Sequence, residues 1–253
     1  HYFDADEEAL RTRIKAHFPN QRYGIADTDK AEEHYLIYVG GDRTRGAYWF
    51  YDAQTDEATP MAELAPWIKA EDMNEMHAVK YTSRDGLTIE AYLTLPNGLS
   101  INDAHQLPVV INPHGGPWAR DCWGYSSEVQ FLANRGYAVF QMNFRGSTGY
   151  GRSFLEASYK QWGLKMQDDI TDGVNWLIEQ GIADKDRVAI YGGSYGGYAV
   201  LAGLTLTPDV YACGIDYVGV SNLFTFMKTI PPYWRPMLEM MYEQVGDPEK
   251  DAE

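Results

Sequence analysis

The chain has 253 residues, 45% of them hydrophobic, including seven Trp and 19 Tyr. This much apolar material can form a sizeable core, which excludes a disordered or fibrous protein. The formal net charge of −15 argues against nucleic-acid binding, because an acidic excess repels the phosphate backbone. The sequence contains no run of about 18 apolar residues, so we expect no membrane-spanning segment.

The two cysteines, Cys122 and Cys213, provide neither a disulfide framework nor the spacing of a metal site. We expect both to be reduced core residues. The chain begins at His1 rather than at Met, which suggests a processed, cloned or partial sequence, and its first residues do not resemble a signal peptide. Acidic charge and unpaired cysteines favour the cytoplasm, but a periplasmic or secreted protein that had lost its signal sequence would look the same.

The first seventy-odd residues are predicted to form short antiparallel strands. Residues 35–39 and 47–51 are rich in β-formers, and each run is followed by turn residues. Two or three such strands are too few for an independent sheet, so we interpret residues 1–77 as the end of a larger all-β unit such as a propeller. A β-rich extension of the following domain is the alternative.

From residue 78 onward the pattern changes to strands that alternate with helices. A hairpin is predicted first, with strands at 78–82 and 88–95. Strands are then predicted at 108–112, 137–143, 187–191 and 212–218, and helices at 129–134, 168–180 and 195–206. In the helix at 168–180, Asp168 and Asp169 are expected at the start, where the helix dipole favours acids. This alternation predicts a mostly parallel α/β sheet with both faces covered.

Ser194 is the predicted nucleophile. It lies in the sequence YGGSYGG at residues 191–197, between an apolar strand and a helix of small residues. A strand, then GxSxG, then a helix is the nucleophile elbow, which lifts a serine hydroxyl above a sheet at a helix N-terminus. The alternative is a glycine-rich turn whose serine only caps the helix.

A second motif, HGGP at residues 114–117, directly follows the strand predicted at 108–112. Acyl transfer needs N–H donors that are aimed at the developing oxyanion, and a glycine-rich loop after an early strand can supply one of them. We expect Gly116 and Tyr195, the residue after the nucleophile, to be the donors. His114 is interpreted as a residue that shapes the loop, because the base of such hydrolases follows the nucleophile in the chain.

These two motifs, together with NFRGSTGYG at residues 143–151, resemble the prolyl oligopeptidase family of serine peptidases, and within it the acylaminoacyl peptidase-like branch. The resemblance runs from about Val79 to the C-terminus. It implies an α/β-hydrolase domain over residues 78–253, preceded by the end of a propeller. It also implies cleavage of short or N-acylated peptides, or of simple esters, through an acyl-enzyme on Ser194, with no cofactor and no metal.

Four further residues are candidates for substrate binding. Arg145 could bind a substrate carbonyl or carboxylate, or it could clamp loop carbonyls, and the structural role is favoured. Phe224, Tyr233 and Trp234, with Phe226 between them, resemble the hydrophobic pocket that receives the substrate side chain in this family. Core packing of these aromatic residues is the alternative.

All six histidines precede Ser194, whereas the acid and the base of the family follow the nucleophile. None of the downstream aspartates lies in a setting that resembles the acid loop, so we assign neither role. These aspartates are Asp209, Asp216, Asp247 and Asp251. We expect a longer enzyme whose hydrolase domain is incomplete here, with an apolar sheet edge that self-associates or pairs with another chain. The alternative is a non-catalytic binding or interaction module on the same scaffold.

Overall fold

The computed structural model describes residues 4–251. The α-helices in this part of the chain are α1 (Ala5–His17), α2 (Ser127–Ala133), α3 (Arg152–Glu156), α4 (Lys165–Glu179), α5 (Tyr195–Leu206), α6 (Leu223–Lys228) and α7 (Leu238–Gln244). The strands are β1 (Arg22–Thr28), β2 (His34–Gly40), β3 (Ala47–Asp52), β4 (Glu57–Glu63), β5 (Met76–Thr82), β6 (Thr88–Thr94), β7 (Leu107–Ile111), β8 (Ala138–Asn143), β9 (Ala183–Gly193) and β10 (Cys213–Tyr217). None of the helices described is long and apolar enough to cross a membrane.

The chain divides into two compact units. The first, called here the antiparallel unit, comprises the residues up to Glu75 together with Gly124–Gln130. The second, called the mixed-sheet unit, comprises Met76–Trp123 and the residues from Phe131 onward. The division of domains predicted from the sequence, 1–77 and 78–253, stays a prediction.

The antiparallel unit is a four-stranded sheet in the order β1-β2-β3-β4, in which each strand is antiparallel to the next. The strands predicted at 35–39 and 47–51 are β2 and β3. Ile37 and Tyr51 are fully buried in its core. In the segment at 124–130, the amide of Gln130 donates hydrogen bonds to the backbone oxygens of Asp42 and Asn74 and accepts one from the backbone of Asn74.

The prediction of strands alone for the first residues was wrong at α1. The side chain of Asp4 caps this helix by accepting from the backbone of Asp6, and the first turn is acidic. Leu10 and Ile14, one turn apart, are buried in the same core as Ile37. A cap followed by apolar residues at i and i+4 is a helix signal that the sequence already contained.

The mixed-sheet unit has six strands in the order β10-β9-β7-β8-β6-β5. The strands from β10 to β8 are parallel, whereas β6 and β5 are antiparallel, as the hairpin predicts. Every residue of β8 is buried, as is usual for a strand covered on both faces. This arrangement confirms the predicted fold class, a mostly parallel sheet with helices that follows a separate antiparallel sheet.

Two expectations for the mixed-sheet unit were wrong in detail. The helix predicted to start at Asp168 starts at Lys165, so Asp169 lies inside α4, where it is fully buried. Cys122 and Cys213 are free thiols, but both are exposed rather than part of the core. Cys213 belongs to β10, the outermost strand of the sheet, whose burial pattern is mostly exposed. Association through this edge stays a prediction.

Candidate active site

Ser194 lies where β9 ends and α5 begins, and its side chain is exposed. Its backbone has φ 58° and ψ −118°, a conformation that residues with a side chain rarely adopt. The turn is possible because glycines surround it: a Cβ on Gly192 would lie 2.7 Å from the backbone of Gly196, and one on Gly196 would collide with the carbonyl oxygen of Pro113. The predicted nucleophile elbow is therefore present as a strained, exposed serine turn.

Backbone hydrogen bonds hold this turn on both sides. Ser194 N donates to the carbonyl of Tyr217 at the end of β10, and Ser194 O accepts from Tyr198 N, both at 3.0 Å. Tyr195 is the first residue of α5, so its N–H has no carbonyl one turn earlier in the helix to bond. Its ring is 1% exposed and packs edge-on against Trp162, with 4.6 Å between the centroids.

The glycine loop at residues 112–117 follows β7 and reaches the elbow. A Cβ on Gly115 would lie 3.2 Å from Gly193 O and 3.5 Å from Ser194 Cβ, so this loop is in contact with Ser194. Gly116, the predicted oxyanion donor, is exposed and has φ 127°, which is open only to glycine. Gly115 was not among the predicted site residues, although its place in the HGGP motif was the available signal.

His114 joins the glycine loop to the loop after β8. Its Nδ1 lies 2.7 Å from Gly115 O, and its Nε2 lies 2.9 Å from Ser147 Oγ. The ring stacks on Phe144 with 4.4 Å between the centroids. Burial lowers the pKa of His114, and the nearby carbonyl of Gly115 offsets this only in part. Both ring nitrogens are therefore engaged by loop atoms.

Three further hydrogen bonds connect the segment just after the glycine loop to the end of β8 and to the loop that follows β8. Asn143 Oδ1 accepts from Asp121 N at 2.8 Å, and Asn143 Nδ2 donates to Asp121 O at 3.1 Å. Thr148 N donates to the carbonyl of Ala119 at 2.9 Å. The NFRGSTGYG motif thus fixes the loop that contains Gly116, a role for which sequence reasoning had no signal because the contacts join residues far apart in the chain.

Arg145, in the middle of that motif, is 3% exposed and lies between two aspartates. Its guanidinium forms ion pairs with Asp85 at 2.8 Å and Asp169 at 2.7 Å. Burial acts to lower the pKa of Arg145, but the hydrogen bonds to Asp169 and Asp85 outweigh it and raise the pKa. The hydrogen bond from Arg145 also holds the pKa of Asp85 below its ordinary value. This arrangement supports the structural role, although the partners are carboxylates rather than loop carbonyls, and it does not support the substrate-binding role.

Asp121 is the most perturbed carboxyl group near the glycine loop. Burial raises its pKa to about 6, against a weaker opposing effect of the nearby Gln141 side chain. Its Oδ2 atom is buried and has no well-formed hydrogen bond to any of the residues described. The group therefore gains or loses a proton close to neutral pH.

The three aromatic residues predicted to bind substrate do not share one environment. Phe224 is 46% exposed and lines a cleft of about 550 Å³ with Met227. Tyr233 and Trp234 are 78% and 42% exposed, and their rings pack edge-on against each other. Their exposure argues against the core-packing alternative.

Phe226 is the aromatic residue of this region that connects to the elbow. Its ring stacks on Trp162 with 6.2 Å between the centroids, and Trp162 in turn contacts Tyr195. Phe226 is only partly buried and packs against the main core. Trp162 was not singled out from the sequence.

The turn after β10 also belongs to the surroundings of Ser194. Asp216 Oδ1 accepts from Gly219 N at 2.8 Å and contacts Gly197 of the elbow. Val218 has φ 50°, which is a strained conformation for a β-branched residue. Asp216 thus stabilises the turn that supplies Tyr217 O to Ser194, a function the sequence did not predict.

A strained serine at a strand–helix junction of this sheet defines the class of α/β-hydrolases. The model of the prolyl oligopeptidase family matches residues 123–253. Dipeptidyl aminopeptidase BIII of Pseudoxanthomonas mexicana is 46% identical over 81% of the chain and 30% of that protein. Dipeptidyl peptidase family member 6 of Caenorhabditis elegans is 38% identical over 86% of the chain and 32% of that protein.

A solved puromycin-hydrolyzing peptidase of Mycobacterium tuberculosis superposes with a TM-score of 0.74 and 27% identity, over 85% of this chain and 33% of the other. The chain belongs to the prolyl oligopeptidase family of peptidases. It spans about a third of the length of the curated relatives it matches.

Proposed function

We propose that Ser194 is the nucleophile of a serine peptidase that cleaves short or N-acylated peptides and also accepts simple esters. The observation that carries this proposal is the elbow itself, in which an exposed serine has φ 58° at the N-terminus of α5. Strain of this kind persists only where the surrounding structure holds it, and it clusters at active sites. Family membership supports the same reading.

The proposed reaction begins when Ser194 Oγ attacks the substrate carbonyl carbon. As the carbonyl oxygen becomes negatively charged, the backbone N–H groups of Tyr195 and Gly116 donate hydrogen bonds to it. The leaving amine or alcohol takes a proton and departs, which leaves an ester between Ser194 and the acyl group. Water then hydrolyses this acyl-enzyme. The base that takes the serine proton follows the nucleophile in the chain order of such hydrolases.

The substrate class is proposed from the relatives. The two relatives named as dipeptidyl peptidases share 46% and 38% identity with the chain, whereas a mouse acylamino-acid-releasing enzyme shares 29%. This order favours release of dipeptides from a free N-terminus over removal of an acylated residue. The exposed aromatic side chains of Phe224, Tyr233 and Trp234 are the proposed apolar contacts for the substrate.

The test of the nucleophile uses the full-length protein that contains this chain and a fluorophosphonate probe, which reacts with activated serines. We expect labelling of the wild type and complete loss of labelling in Ser194→Ala. Ser221→Ala is the matched control, because Ser221 is an exposed serine of the same unit outside the elbow. Labelling that persists in Ser194→Ala, or a wild type that is not labelled, would contradict the proposal. The second result would favour the non-catalytic binding module.

The test of the substrate class compares two chromogenic substrates on the same preparation. One is a dipeptide p-nitroanilide with a free amino terminus, and the other is an acetylated amino-acid p-nitroanilide. We expect a larger kcat/KM for the dipeptide. A preference for the acetylated substrate would reverse the order proposed from the relatives but would leave the nucleophile assignment intact.

A further inference from the structure

Arg120 is a half-buried arginine that lies three residues beyond the glycine loop. Its guanidinium lies over the ring of Tyr150, with 4.6 Å between Cζ and the ring centroid. Nη2 donates a hydrogen bond to the Tyr150 hydroxyl at 3.0 Å, and Nε donates a longer one to the backbone carbonyl of Asp121 at 3.3 Å. The cation–π contact and these hydrogen bonds together fix the plane and the direction of the guanidinium.

The loop after β8 leaves room for this side chain and holds the backbone from which it extends. Gly149 has φ 89°, and a Cβ on it would lie 2.5 Å from Arg120 Nη1. The backbone on both sides of Arg120 is bonded to the same region, through the carbonyl of Ala119 and through the N–H and the carbonyl of Asp121. Arg120 is therefore held in a defined position relative to the glycine loop, which contacts the elbow.

Arg120 forms no ion pair with an acidic side chain in the part of the chain that the structure describes. Four other arginines of the mixed-sheet unit do form ion pairs, namely Arg84, Arg145, Arg152 and Arg187. A guanidinium has five N–H donors. Tyr150, the Asp121 carbonyl and the nearby phenol of Tyr92 engage at most three of them. In a chain with 36 acidic and 21 basic residues, a fixed arginine without a carboxylate partner is available to an acidic ligand.

The sheet order separates the two segments that would face a substrate of Ser194. The strands run in the order β10, β9, β7, β8, and Ser194 lies at the end of β9. The proposed apolar contacts lie in the segment that follows β10, whereas Tyr150, which holds Arg120, lies in the loop that follows β8. A peptide whose apolar side chain is bound by the segment after β10 would extend its leaving part toward the loop after β8.

We propose that Arg120 is a substrate-binding residue that pairs with a carboxylate on the leaving part of the peptide, which in a short substrate is the C-terminal carboxylate. This inference rests on the proposed function, in which Ser194 attacks the peptide. A carboxylate can accept two parallel hydrogen bonds from one guanidinium, and an arginine that is already fixed loses little freedom when it binds. The protein thereby favours short peptides that end close to the cleaved bond.

The test compares pairs of peptides that differ only at the C-terminus, one with a carboxylate and the other with an amide. Each pair has the acyl part that the wild type cleaves best among the chromogenic substrates, followed by a leaving part of one, two or three residues. The full-length wild type is compared with Arg120→Met and Arg135→Met. Arg135 is the matched control, because it is an exposed arginine of the same unit that also lies over an aromatic ring, that of Phe131.

The readouts are kcat and KM for each peptide, and the second-order rate of fluorophosphonate labelling. We expect the wild type to prefer the carboxylate over the amide by about 10-fold or more in kcat/KM for at least one of the three lengths. In Arg120→Met the preference should disappear through a rise of about 10- to 100-fold in KM for the carboxylate peptide, with little change in kcat or in labelling. Arg135→Met should keep the preference. Because the pair is ionic, the wild-type preference should also shrink between about 0.05 M and about 1 M salt.

The outcomes separate this inference from the proposed function. A wild type that is labelled but cleaves the carboxylate and the amide equally well at every length overturns the role of Arg120 and leaves the nucleophile intact. If Arg120→Met slows labelling and the cleavage of both peptides to the same extent, Arg120 supports the loop rather than the substrate, which also overturns the inference. If the wild type is not labelled, the proposed function fails and this inference fails with it.

A second variant covers the case in which Arg120→Met does not fold cooperatively. Tyr150→Phe removes the hydroxyl that holds Nη2 but keeps the ring under the guanidinium. We expect it to weaken the preference for the carboxylate while labelling is retained. An unchanged preference in Tyr150→Phe, together with a wild-type preference that salt does not reduce, would overturn the inference.

Discussion

Two glycine-rich turns follow strands of the same sheet, and they differ in the contacts that stabilise them. The elbow after β9 is held by backbone packing, since Gly192 and Gly196 approach each other and Pro113 too closely for any side chain. The loop after β8 is held by buried side chains, of which Arg145 has the strongest contacts. The elbow exposes Ser194, whereas the loop buries Arg145.

The strained turn at Ser194 can be stable because of how it is held. Side chains on Gly192 or Gly196 would collide with the neighbouring backbone, so the turn relies on glycines and on main-chain hydrogen bonds. The polar side chains that stiffen the site are placed one loop away, where His114 and Asn143 connect them to the glycine loop. Four substitutions test this division of roles.

The largest loss of stability is expected from Arg145→Met in the loop after β8. The substitution leaves the buried carboxylate of Asp169 without its partner, and breaking a buried pair in this way costs about 3–5 kcal/mol. The free energy of unfolding by denaturant is the measurement. Arg152→Met is the control, because Arg152 is 88% exposed and its pair with Glu156, which water screens, should contribute little to stability. Equal losses in the two variants would show that the buried pair does not hold this loop.

At the elbow we expect Gly196→Ala to cost about 1–3 kcal/mol, because the new methyl group collides with the carbonyl oxygen of Pro113. If Ser194 is the nucleophile as proposed, its fluorophosphonate labelling should fall by at least about tenfold, since the collision moves the glycine loop away from Ser194. Gly41→Ala is the control, because its methyl group would meet open space. Normal labelling of Gly196→Ala would show that the elbow tolerates side chains and would remove the contrast.

An intermediate effect, and a gain in stability, is expected from Asp121→Asn. The pKa of Asp121 is about 6 in the folded protein, above its ordinary value of 3.8. The carboxyl group of Asp121 therefore makes its full contribution to the free energy of unfolding below about pH 4, where it is protonated. This contribution is lost as the pH rises through 6. The free energy of unfolding of Asp121→Asn should exceed that of the wild type by about 1–2 kcal/mol at pH 8, and it should show no such gain at pH 4.

Denaturant unfolding at the two pH values measures this gain. Asp186→Asn, at a carboxyl group that is 76% exposed, is the control. A gain that is the same at pH 4 and pH 8 would mean that ionisation of Asp121 is not its cause.

The smallest effect on stability is expected from Tyr233→Ser. Tyr233 is 78% exposed, so the free energy of unfolding should change by less than about 0.5 kcal/mol. If Tyr233 contacts the substrate as proposed, KM should rise while stability does not change. Met227→Ala, which truncates a buried side chain nearby, should instead cost about 2–5 kcal/mol. A large loss of stability in Tyr233→Ser would return this residue to the core-packing alternative.

Much of the fold was predictable because its signals are local. Apolar runs located β2 and β3 of the antiparallel sheet and all six strands of the mixed sheet, but they did not locate β1 or β4. The small residues after Ser194 predicted α5 with the boundaries the structure shows, Tyr195–Leu206. The error at α1 came from giving weight to the neighbouring strands while the cap at Asp4 was overlooked. The exposure of Cys213 could not be read from its apolar surroundings, since it depends on β10 being the last strand of the sheet described.

By itself the sequence determined the position of the serine turn and the need for glycines around it, because a tight strand–turn–helix junction imposes both requirements within seven residues. Only the tertiary structure decided what Arg145, Asn143 and Ser147 do, since the partners that join them to other segments, Asp169, Asp121 and His114, lie more than twenty residues away in the chain. Ionic and hydrogen-bonded contacts of this kind depend on which loops the sheet order brings together. The parallel order of β9, β7 and β8 places three loops at one edge, and there the motifs support one another.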